Sequence, residues 1–483
     1  MTIDHSSLFI GSHWVRPAAS ERITVRSAST EEIIGSVPEA VPADVDSAVS
    51  AARTAFEDAG GWAGWTAERR AELLDRFADE YDKRSEEIVY AVSQQNGMPI
   101  TLARVLEAVS PPSLLRYYAG LIRQQPFEEE RAGVFVRSTV VRRQPIGVVA
   151  AIVPWNVPQT LAMTKLAPAL AAGCTVVLKP SPETVLDAYV LAAAAEAAGV
   201  PEGVLSIVPG GRELGAYLVT HPGVDKVTFT GSTDGGRAVA GACAPLFRPV
   251  TLELGGKSAA IILDDAELDL QKMGQSLFLS TLANNGQACF LGTRVLAPRS
   301  RYGEVVDFFA ALIGNATVGD ALDDSTQIGP LASRVQQSRV SGYIDTGIRD
   351  GARVVVGGLG MPDRCDRGWF VRPTLFADVD NSDTIAQEEI FGPVLSVIQY
   401  DGDDDAVRIA NDSRYGLGGT VWSPDEDRAM TVASAVQSGT IGINGYFPDP
   451  TAPFGGIKQS GLGREYGPEG LASFQQTKSI YRI

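Results

Sequence analysis

The spacing of apolar residues changes along the first third of the chain. Apolar positions recur at helical spacing over 44–58, 67–92 and 101–123, so this segment is predicted to be mainly helical. Beyond Pro126 the pattern becomes rich in β-branched residues, and 134–143 is predicted to form an exposed ribbon or edge strand. The N-terminal part is therefore expected to combine helices with one β-rich segment.

Short apolar runs alternate with helical patterns through the rest of the chain. The first series predicts strands at 147–153, 174–178, 204–208 and 224–230, with helices at 160–172, 184–198 and 213–220 between them. The second predicts strands at 259–263, 294–297, 353–356 and 394–399 and helices at 268–283, 304–314, 335–350 and 404–411. Apolar strands alternating with helices indicate a parallel sheet covered on both faces. We therefore expect an α/β protein whose two domains join near residue 256.

Composition and charge exclude several classes of function. The 483 residues include 41 Lys and Arg against 58 Asp and Glu, and the net charge of -17 argues against nucleic acid or an anionic membrane as partner. No apolar stretch is long enough to span a bilayer, and the N-terminus lacks a secretory signal, so a cytoplasmic protein is expected. With three histidines and four widely spaced cysteines, neither a metal site nor a disulfide framework is expected.

Standard sequence motifs do not identify the catalytic or ligand-binding residues. The fingerprint GxGxxG does not occur, and 254–258 cannot be a phosphate loop because Thr251 stands where the loop requires its first glycine. The acidic run 401–405 lacks the glycine and terminal glutamate of a calcium loop, and a solvated turn is the better interpretation. The candidates come instead from four stretches near strand ends, where α/β sheets place functional groups.

Two of these stretches offer groups that can stabilise negative charge. Asn156 lies in a loop with prolines on both sides, which would hold its amide in the fixed direction that an oxyanion donor requires. An ordinary turn asparagine is the alternative. Ser232 lies where a strand runs into a helix, so its hydroxyl and the free backbone amides there could bind phosphate. An ordinary serine N-cap is the alternative.

The other two stretches offer a base and a nucleophile. Glu253 stands in a mostly apolar strand before a glycine pair, where desolvation would raise its pKa and suit a general base. A carboxylate turned outward into a salt bridge is the alternative. Cys289 lies in a glycine-containing loop that substrate can reach, whereas Cys174 and Cys243 lie in runs of small apolar residues typical of a core. From its own segment, Cys289 could equally be structural.

Together these stretches resemble the aldehyde dehydrogenase superfamily, and the resemblance covers nearly the whole chain. The motifs that carry it, in the family's order, are Pro154-Trp-Asn-Val-Pro158, Lys179-Pro-Ser181, Phe229-Thr-Gly-Ser-Thr233, Glu253-Leu-Gly-Gly-Lys257, Gly286-Gln-Ala-Cys289, Glu389-Ile-Phe-Gly-Pro-Val394 and Pro453-Phe-Gly-Gly456. The resemblance implies a Rossmann-like parallel-sheet cofactor domain over 1–123 and 146–255 and a second α/β catalytic domain over 256–457. It also implies a small β oligomerisation arm and C-terminal segment over 124–145 and 458–483.

The resemblance further implies oxidation of an aldehyde to its acid with NAD, or with NADP. Cys289 would attack the aldehyde, and Asn156 with the Cys289 backbone amide would form the oxyanion hole. Glu253 would activate the water that hydrolyses the resulting thioester. Lys165 and Glu465 match family positions that support proton transfer.

Cofactor residues are implied in the same way. Lys179 would contact the adenine ribose, Ser232 the pyrophosphate and Glu389 the nicotinamide ribose. The other positions implied for this site are Ile152, Trp155, Ser181, Gly231, Gly255, Gln336 and Phe391. Many family members that prefer NAD carry a glutamate three positions after the lysine, where this chain has Pro182, so NAD is expected to be preferred with some use of NADP.

The least specific implication is the substrate tunnel. Alignment with the family places it around Val157, Leu161, Thr164, Ala283, Phe290, Tyr446 and Phe447. Several members carry aromatics in place of Val157, Thr164 and Ala283, so a wider tunnel and a medium or bulky apolar aldehyde are expected. The ribbon 134–143 and the strand 478–483 match the family's oligomerisation arms, and a homodimer or homotetramer is expected because exposed strand edges pair.

Three other functions remain open. A CoA-acylating semialdehyde dehydrogenase would pass the acyl group to a thiol, but that branch typically lacks the hydrolytic glutamate, here Glu253. A cysteine hydrolase or esterase would need a base near Cys289, and the internal histidine, His221, lies in a predicted turn. A non-catalytic protein with this fold is disfavoured because Cys289, Glu253 and Asn156 are all intact.

Overall fold

The computed structural model describes residues 2–363 and 365–483, and its first sheet is built around the strand Val148–Ile152. Neighbouring strands follow the order Gly461–Leu462, Val250–Glu253, Lys226–Thr230, Val148–Ile152, Thr175–Lys179, Leu205–Ile207, Leu8–Ile10 and His13–Val15. The central strands, from Val250–Glu253 to Leu205–Ile207, are parallel, and the strands outside them are antiparallel. The predicted Rossmann-like parallel sheet is confirmed.

Helices cover both faces of this sheet. Val149 and Ala151 belong to one apolar cluster, whereas Val148 and Ala150 belong to another, as expected where successive side chains point to opposite faces. The helices of this part are Pro42–Glu57, Ala67–Asp82, Ser85–Asn96, Ser110–Gln124, Pro158–Ala172, Leu186–Ala198, Arg212–Thr220 and Thr233–Cys243. A shorter helix, Gly467–Ala472, packs on Pro158–Ala172 from the C-terminal end.

A second sheet lies within the later part of the chain. Its strands follow the order Arg353–Val356, Thr374–Ala377, Val394–Tyr400, Arg294–Pro298, Ala259–Ile262, Gly419–Trp422 and Gly442–Ile443. All neighbours are parallel except the edge strand Arg353–Val356, which is antiparallel. The helices around it are Leu270–Thr281, Tyr302–Gly314, Arg334–Arg349, Thr384–Gln387, Asp403–Asn411 and Glu426–Ala435. The strands and helices of both predicted series are present, with ends within two residues of the prediction.

The third sheet is an antiparallel ribbon. Ser138–Pro145 lies between Glu128–Ala132 and the C-terminal strand Gln475–Arg482. The predicted ribbon 134–143 is therefore displaced, because residues 133–137 form the turn of the hairpin. By contrast, Gly461–Leu462 pairs with Val250–Glu253 at the edge of the first sheet. The division into domains and arm stays a prediction.

The N-terminal part differs from the mainly helical prediction in two places. Residues 3–38, to which no helix or strand was assigned, hold short strands: Ile3–Asp4, Leu8–Ile10, His13–Val15, Arg22–Arg26 and Ile33–Pro38. The single helix predicted over 67–92 is two helices, because Arg84 leaves the helical conformation (φ -114°, ψ 5°) and its guanidinium binds the Glu80 carbonyl. Runs of two to six residues carry too little periodicity to be separated from loops.

The helix predicted over 101–123 is interrupted by a π-helical turn at Arg104–Val109. Pro111 and Pro112 follow this turn and lack the backbone N–H that would bond the carbonyls four residues earlier. The Tyr81 hydroxyl donates to the carbonyl of Glu107 at 2.6 Å and so replaces one lost bond. The prolines therefore account for the wider turn.

Candidate active site

The parallel strands of the first sheet bring two candidates to one edge. The strand register pairs Ile152 with Phe229 and Thr230 with Glu253, so three neighbouring strands end side by side. Glu253 ends its own strand, and the loop after Ile152 carries Asn156. Open α/β sheets bind ligands at this end of their strands, which makes the edge the natural place for a site.

The loop that carries Cys289 begins with an uncommon backbone turn. After the helix Leu270–Thr281, residues Asn284, Asn285 and Gly286 have φ of 52°, 60° and 74°. Asn and Gly are the residues that tolerate this left-handed conformation best. Cys289 follows three residues later and is half-buried.

This nucleophile loop contacts the glycine pair that follows Glu253. A Cβ atom on Gly256 would lie 2.4 Å from the carbonyl oxygen of Cys289, a distance at which only glycine fits. The Gly256 N–H donates a 3.0 Å hydrogen bond to the Glu389 carboxylate. The structure therefore brings Glu253, Cys289 and Glu389 together although they lie far apart in sequence.

Glu253 is a buried carboxylate without a hydrogen-bond partner among the described residues. Its side chain faces inward and the residue is 3% exposed, so the alternative of an outward salt bridge is wrong. Burial first, and then the negative charge of Glu465, raise the pKa of Glu253 well above its usual value. A carboxyl group in this environment can hold a proton near neutral pH.

Lys165 and Glu465 form an ion pair in the interior. The Lys165 ammonium donates to Glu465 Oε1 at 2.7 Å and to Thr230 Oγ1 at 2.7 Å. The charge of Lys165 also acts on Glu253, where it lowers the pKa and partly opposes the effect of burial. Lys165 and Glu465, which the resemblance matched to positions that support proton transfer, are thus in direct contact.

The surroundings of the Cys289 thiol raise its pKa and favour the protonated form. Burial raises its pKa most, and the carboxylates of Glu389 and Glu253 raise it further. Cys174 and Cys243 are buried in the core, as predicted. The nucleophilic form of Cys289 therefore requires a base that removes its proton.

The Asn156 side chain is buried next to the nucleophile loop. Its Nδ2 donates to the carbonyl of Gln287 at 2.9 Å, and it makes no other side-chain bond among the described residues. One N–H of the amide is thus available to a ligand, as an oxyanion donor requires.

Candidates for the adenosine side of a cofactor lie around the end of Thr175–Lys179. Lys179 is buried and donates to the carbonyls of Pro180 and Gly210 at 2.9 and 2.7 Å. The Ser181 hydroxyl bonds the Glu183 carboxylate. Burial lowers the pKa of Lys179 to about 8.

The pyrophosphate candidates lie at the start of the helix Thr233–Cys243. Exposed Ser232 is its N-cap and accepts from the Gly235 N–H at 3.2 Å, so the alternative interpretation of Ser232 as a cap is correct. Capping does not exclude ligand binding, because the remaining first-turn amides next to Gly231 have no acceptor within the helix.

The nicotinamide-side candidates surround Glu389. Phe391 and Trp155 make an edge-to-face pair with ring centroids 5.4 Å apart. Gln336 donates to the carbonyl of Phe391 at 2.6 Å and so contacts the backbone of this segment. A Cβ on Gly255 would lie 2.3 Å from Glu389 Oε2. Ile152 is buried at the end of its strand.

The candidate tunnel residues are divided between interior and surface. The rings of Phe290 and Tyr446 stack with centroids 4.6 Å apart, and the Tyr446 hydroxyl lies 2.6 Å from Thr440 Oγ1. Val157 and Leu161 are half-buried, Thr164 and Ala283 are buried, and Phe447 is largely exposed.

Comparison with known proteins identifies the family. The profile described as "Aldehyde dehydrogenase family" matches residues 14–480. The chain belongs to the aldehyde dehydrogenase family. Geranial dehydrogenase of Castellaniella defragrans is 56% identical to it over 100% of both chains. The 3-succinoylsemialdehyde-pyridine dehydrogenase of a Pseudomonas species is 42% identical over 99% of this chain and 98% of its own.

Solved aldehyde dehydrogenases share the fold. A Mycobacterium tuberculosis aldehyde dehydrogenase complexed with NAD+ has a TM-score of 0.97 and 46% identity, covering 100% of this chain and 99% of its own. A mutant of aldehyde dehydrogenase C from Pseudomonas syringae, complexed with NAD+ and octanal, has a TM-score of 0.94 and 40% identity, covering 99% and 96%. The predicted family, fold class and enzyme class are confirmed.

Two residues of this aldehyde dehydrogenase, Gly455 and Leu102, contact predicted site residues although the sequence alone gave them no role. A Cβ on Gly455 would lie 2.5 Å from Glu253 Oε1, so this glycine contacts the candidate base. Leu102 packs with Phe290 against the small cluster that contains Ala283. The motif Pro453-Phe-Gly-Gly456 could be recognised in the sequence, but its contact with Glu253 could not be inferred from the spacing of residues.

Two further observations concern the enzyme as a whole. None of the helices formed by residues 2–363 and 365–483 is long and apolar enough to cross a membrane. Within the same residues, no three His, Cys, Asp or Glu side chains are grouped closely enough to hold a metal ion. The roles of the individual site residues stay predictions.

Proposed function

We propose that the enzyme oxidises an aldehyde to its carboxylic acid with NAD(P)+ and water, through a covalent bond between the substrate and Cys289. The observation that carries this proposal is the position of Glu253: a buried carboxylate, unpartnered among the described residues, followed by a glycine pair that contacts the Cys289 loop. A base of raised pKa next to a thiol is the arrangement that covalent catalysis followed by hydrolysis requires.

Attack on the aldehyde uses Cys289 and Asn156. The thiol proton moves to Glu253, and the sulfur then forms a bond to the carbonyl carbon, which leaves negative charge on the substrate oxygen. The free N–H of the Asn156 amide and the backbone N–H of Cys289 donate to that oxygen. Loss of one donor of this kind costs about 100- to 1000-fold in rate.

Hydrolysis uses the same carboxylate. NAD+, when bound, supplies the acceptor for the hydride that leaves the substrate carbon, and the substrate is then a thioester of Cys289. Glu253 first releases the thiol proton towards solvent, and a water molecule then attacks the thioester carbon while the ionised Glu253 takes its proton. The C–S bond breaks, the acid leaves and Cys289 regains a proton. Lys165 and Glu465, in contact at 2.7 Å, assist the transfer of the proton from Glu253 towards solvent.

The residues at the strand ends fit NAD. The amides at the start of the helix Thr233–Cys243 suit a pyrophosphate, and Lys179 can donate to ribose hydroxyls. Glu389 can accept from the nicotinamide ribose, beside the apolar wall of Trp155 and Phe391. The NAD+ complexes of the solved relatives support NAD. Pro182 in place of a carboxylate supports some use of NADP, which a comparison of the two specificity constants tests.

A medium or bulky apolar aldehyde is the proposed substrate. Phe290, Tyr446, Val157 and Leu161 are largely apolar and half-buried, which suits a hydrocarbon chain more than a charged one. One relative is named geranial dehydrogenase, and a solved relative was crystallised with octanal. Both aldehydes are apolar.

The test is the formation of reduced cofactor from NAD+ with octanal, citral and benzaldehyde in the absence of CoA, with the product identified by mass spectrometry. We expect turnover on at least one aldehyde and the free acid as product, and no turnover by Cys289→Ala. Turnover that depends on CoA and yields an acyl-CoA would contradict the proposal and favour the acylating alternative. Ester hydrolysis without cofactor reduction would favour the hydrolase alternative.

A homo-oligomer is proposed as the working assembly. At the tip of the hairpin Phe135 is 99% exposed and Val134 is 89% exposed, and Tyr481 in the C-terminal strand and Ile483 after it are also exposed. Apolar side chains on an exposed ribbon suit a subunit contact. Light scattering coupled to size exclusion tests this: a dimer or tetramer is expected, and Phe135→Ser should weaken it. A monomer at micromolar concentration would contradict it.

A further inference from the structure

Two other amide side chains, those of Asn96 and Asn284, form hydrogen bonds with the backbone of the Asn156 loop. The carbonyl oxygen of Asn156 accepts hydrogen bonds from Asn284 Nδ2 at 2.9 Å and from Asn96 Nδ2 at 3.1 Å. Asn96 ends the helix Ser85–Asn96, whereas Asn284 opens the nucleophile loop. All three side chains are buried, so two separate segments converge on one backbone group away from solvent.

Asn284 also reaches the acceptor that orients the Asn156 side chain. Asn284 Nδ2 lies 3.3 Å from the carbonyl oxygen of Gln287, the same oxygen that Asn156 Nδ2 approaches at 2.9 Å. The amide of Asn284 thus bridges the backbone of the Asn156 loop and the backbone two residues before Cys289. A flipped amide would point its oxygen at two carbonyl oxygens, so only the donating orientation is compatible with these contacts.

The backbone conformation at residue 284 explains why asparagine occupies this position. Its backbone is left-handed (φ 52°, ψ 43°), which disfavours most side chains and leaves asparagine and glycine as the best-tolerated residues. Of these two, only asparagine also has an amide to donate. Asn285 shares the conformation, but its Nδ2 donates to the carbonyls of Gly97 and Pro330 at 2.8 Å. The neighbouring asparagine therefore anchors a different part of the structure.

We propose that Asn284 is a positioning residue of the oxyanion hole, fixing the Asn156 amide relative to Cys289. The inference rests on the proposed role of Asn156 as oxyanion donor. An oxyanion donor stabilises the transition state only when it is held in place before the reaction, and a misplacement of about 1 Å can cost on the order of 100-fold in rate. Asn284 provides this restraint because its single amide nitrogen bonds to both loops.

A double-mutant cycle tests the proposal, with Asn284→Gly, Asn156→Ala and the combined variant. Glycine tolerates the left-handed backbone and removes the side chain that carries the amide. We expect Asn284→Gly to lower kcat/KM by on the order of 100-fold in the wild-type background and by less than about threefold in the Asn156→Ala background. NAD+ affinity, measured by fluorescence, should be unchanged, because the amide of Asn284 bonds to Asn156 and Gln287 and not to the proposed cofactor residues.

Asn285→Gly is the matched control, since it alters the same turn without touching Asn156. Its effect on kcat/KM should be equal in the two backgrounds. An equal loss for Asn284→Gly in both backgrounds would show a merely structural role and overturn the proposal, as would wild-type kcat/KM in Asn284→Gly. If Asn156→Ala itself kept wild-type kcat/KM, the proposed function of Asn156 would fail, and the inference with it.

Asn284→Asp covers the case in which glycine leaves the loop disordered. Aspartate has nearly the same size and tolerates the same backbone, but its ionised carboxylate cannot donate to the two carbonyls. We expect the same dependence on the Asn156 background as for glycine. A fully active Asn284→Asp enzyme would overturn the proposal.

Discussion

Lys165 Nζ lies 2.7 Å from Glu465 Oε1, 300 positions later in the chain, and the two side chains are 0% and 5% exposed. Removal of the ammonium leaves a buried carboxylate without its counter-charge. We therefore predict that Lys165→Met lowers the free energy of unfolding by about 3–5 kcal/mol, seen as a lower urea midpoint.

The control for this prediction removes both charges. Lys165→Met with Glu465→Leu should recover most of the lost stability, because no unpaired charge remains. If Lys165→Met alone were as stable as the wild type, the ion pair would contribute nothing to the free energy of unfolding.

Gly455 is predicted to be essential for the position of Glu253. A Cβ at residue 455 would lie 2.5 Å from Glu253 Oε1, and the φ of 152° adds strain for any other residue. Gly455→Ala should displace the carboxylate and slow thioester hydrolysis about 10- to 100-fold, while the burst of reduced cofactor keeps its amplitude but forms more slowly. Stopped-flow absorbance separates the burst from steady turnover. Gly303→Ala, on a helix with open space around it, should leave both phases unchanged.

The width of the tunnel at Val157 is predicted to decide chain-length preference. Val157 is half-buried just before the helix Pro158–Ala172. Val157→Phe should lower kcat/KM for octanal relative to acetaldehyde by about tenfold or more, because the ring fills space that a long chain needs. An unchanged ratio of kcat/KM for octanal to that for acetaldehyde would show that Val157 does not line the tunnel. Ile348→Phe, on a distant exposed helix position, controls for added bulk.

Cofactor affinity is predicted to fall at high pH through Lys179. Burial lowers the pKa of this lysine to about 8, so its ammonium loses its charge as the pH rises through that value. NAD+ binding to a Cys289→Ala enzyme should weaken above pH 8, by at most about tenfold per pH unit for one proton. Lys179→Met should bind more weakly and show no such dependence between pH 7 and 9. A constant Kd in the parent enzyme would contradict this role.

The two parallel sheets could be predicted because fully apolar strands alternate with helices at regular intervals. Val148–Ile152 is buried on both faces, and that pattern is visible in five consecutive apolar residues. The antiparallel additions were not predictable, since Gly461–Leu462 and Leu8–Ile10 owe their positions to pairing with distant strands. Short edge strands of this kind are determined by tertiary contacts more than by local sequence.

At the site, residue types could be predicted but not the contacts that place them. Cys289, Glu253 and Asn156 follow from motifs, each of which sits at a strand end or in a loop. The contacts of Gly455 with Glu253 and of Asn284 with Asn156 join segments about 200 and 128 residues apart in sequence, and no local pattern connects them. Such pairings emerge only when the two sheets pack together.

Covalent catalysis by Cys289, with water activated by Glu253, is the central feature of the proposed mechanism. The direct measurement is the mass of the Cys289 peptide from Glu253→Gln mixed with NAD+ and octanal. Hydrolysis should slow more than the attack, so one octanoyl group per subunit should remain on that peptide, and about one equivalent of reduced cofactor should form in a first turnover slower than that of the wild type. An unmodified Cys289 peptide together with wild-type turnover would contradict the account, and an acyl group on Cys174, Cys243 or Cys365 would place the chemistry elsewhere.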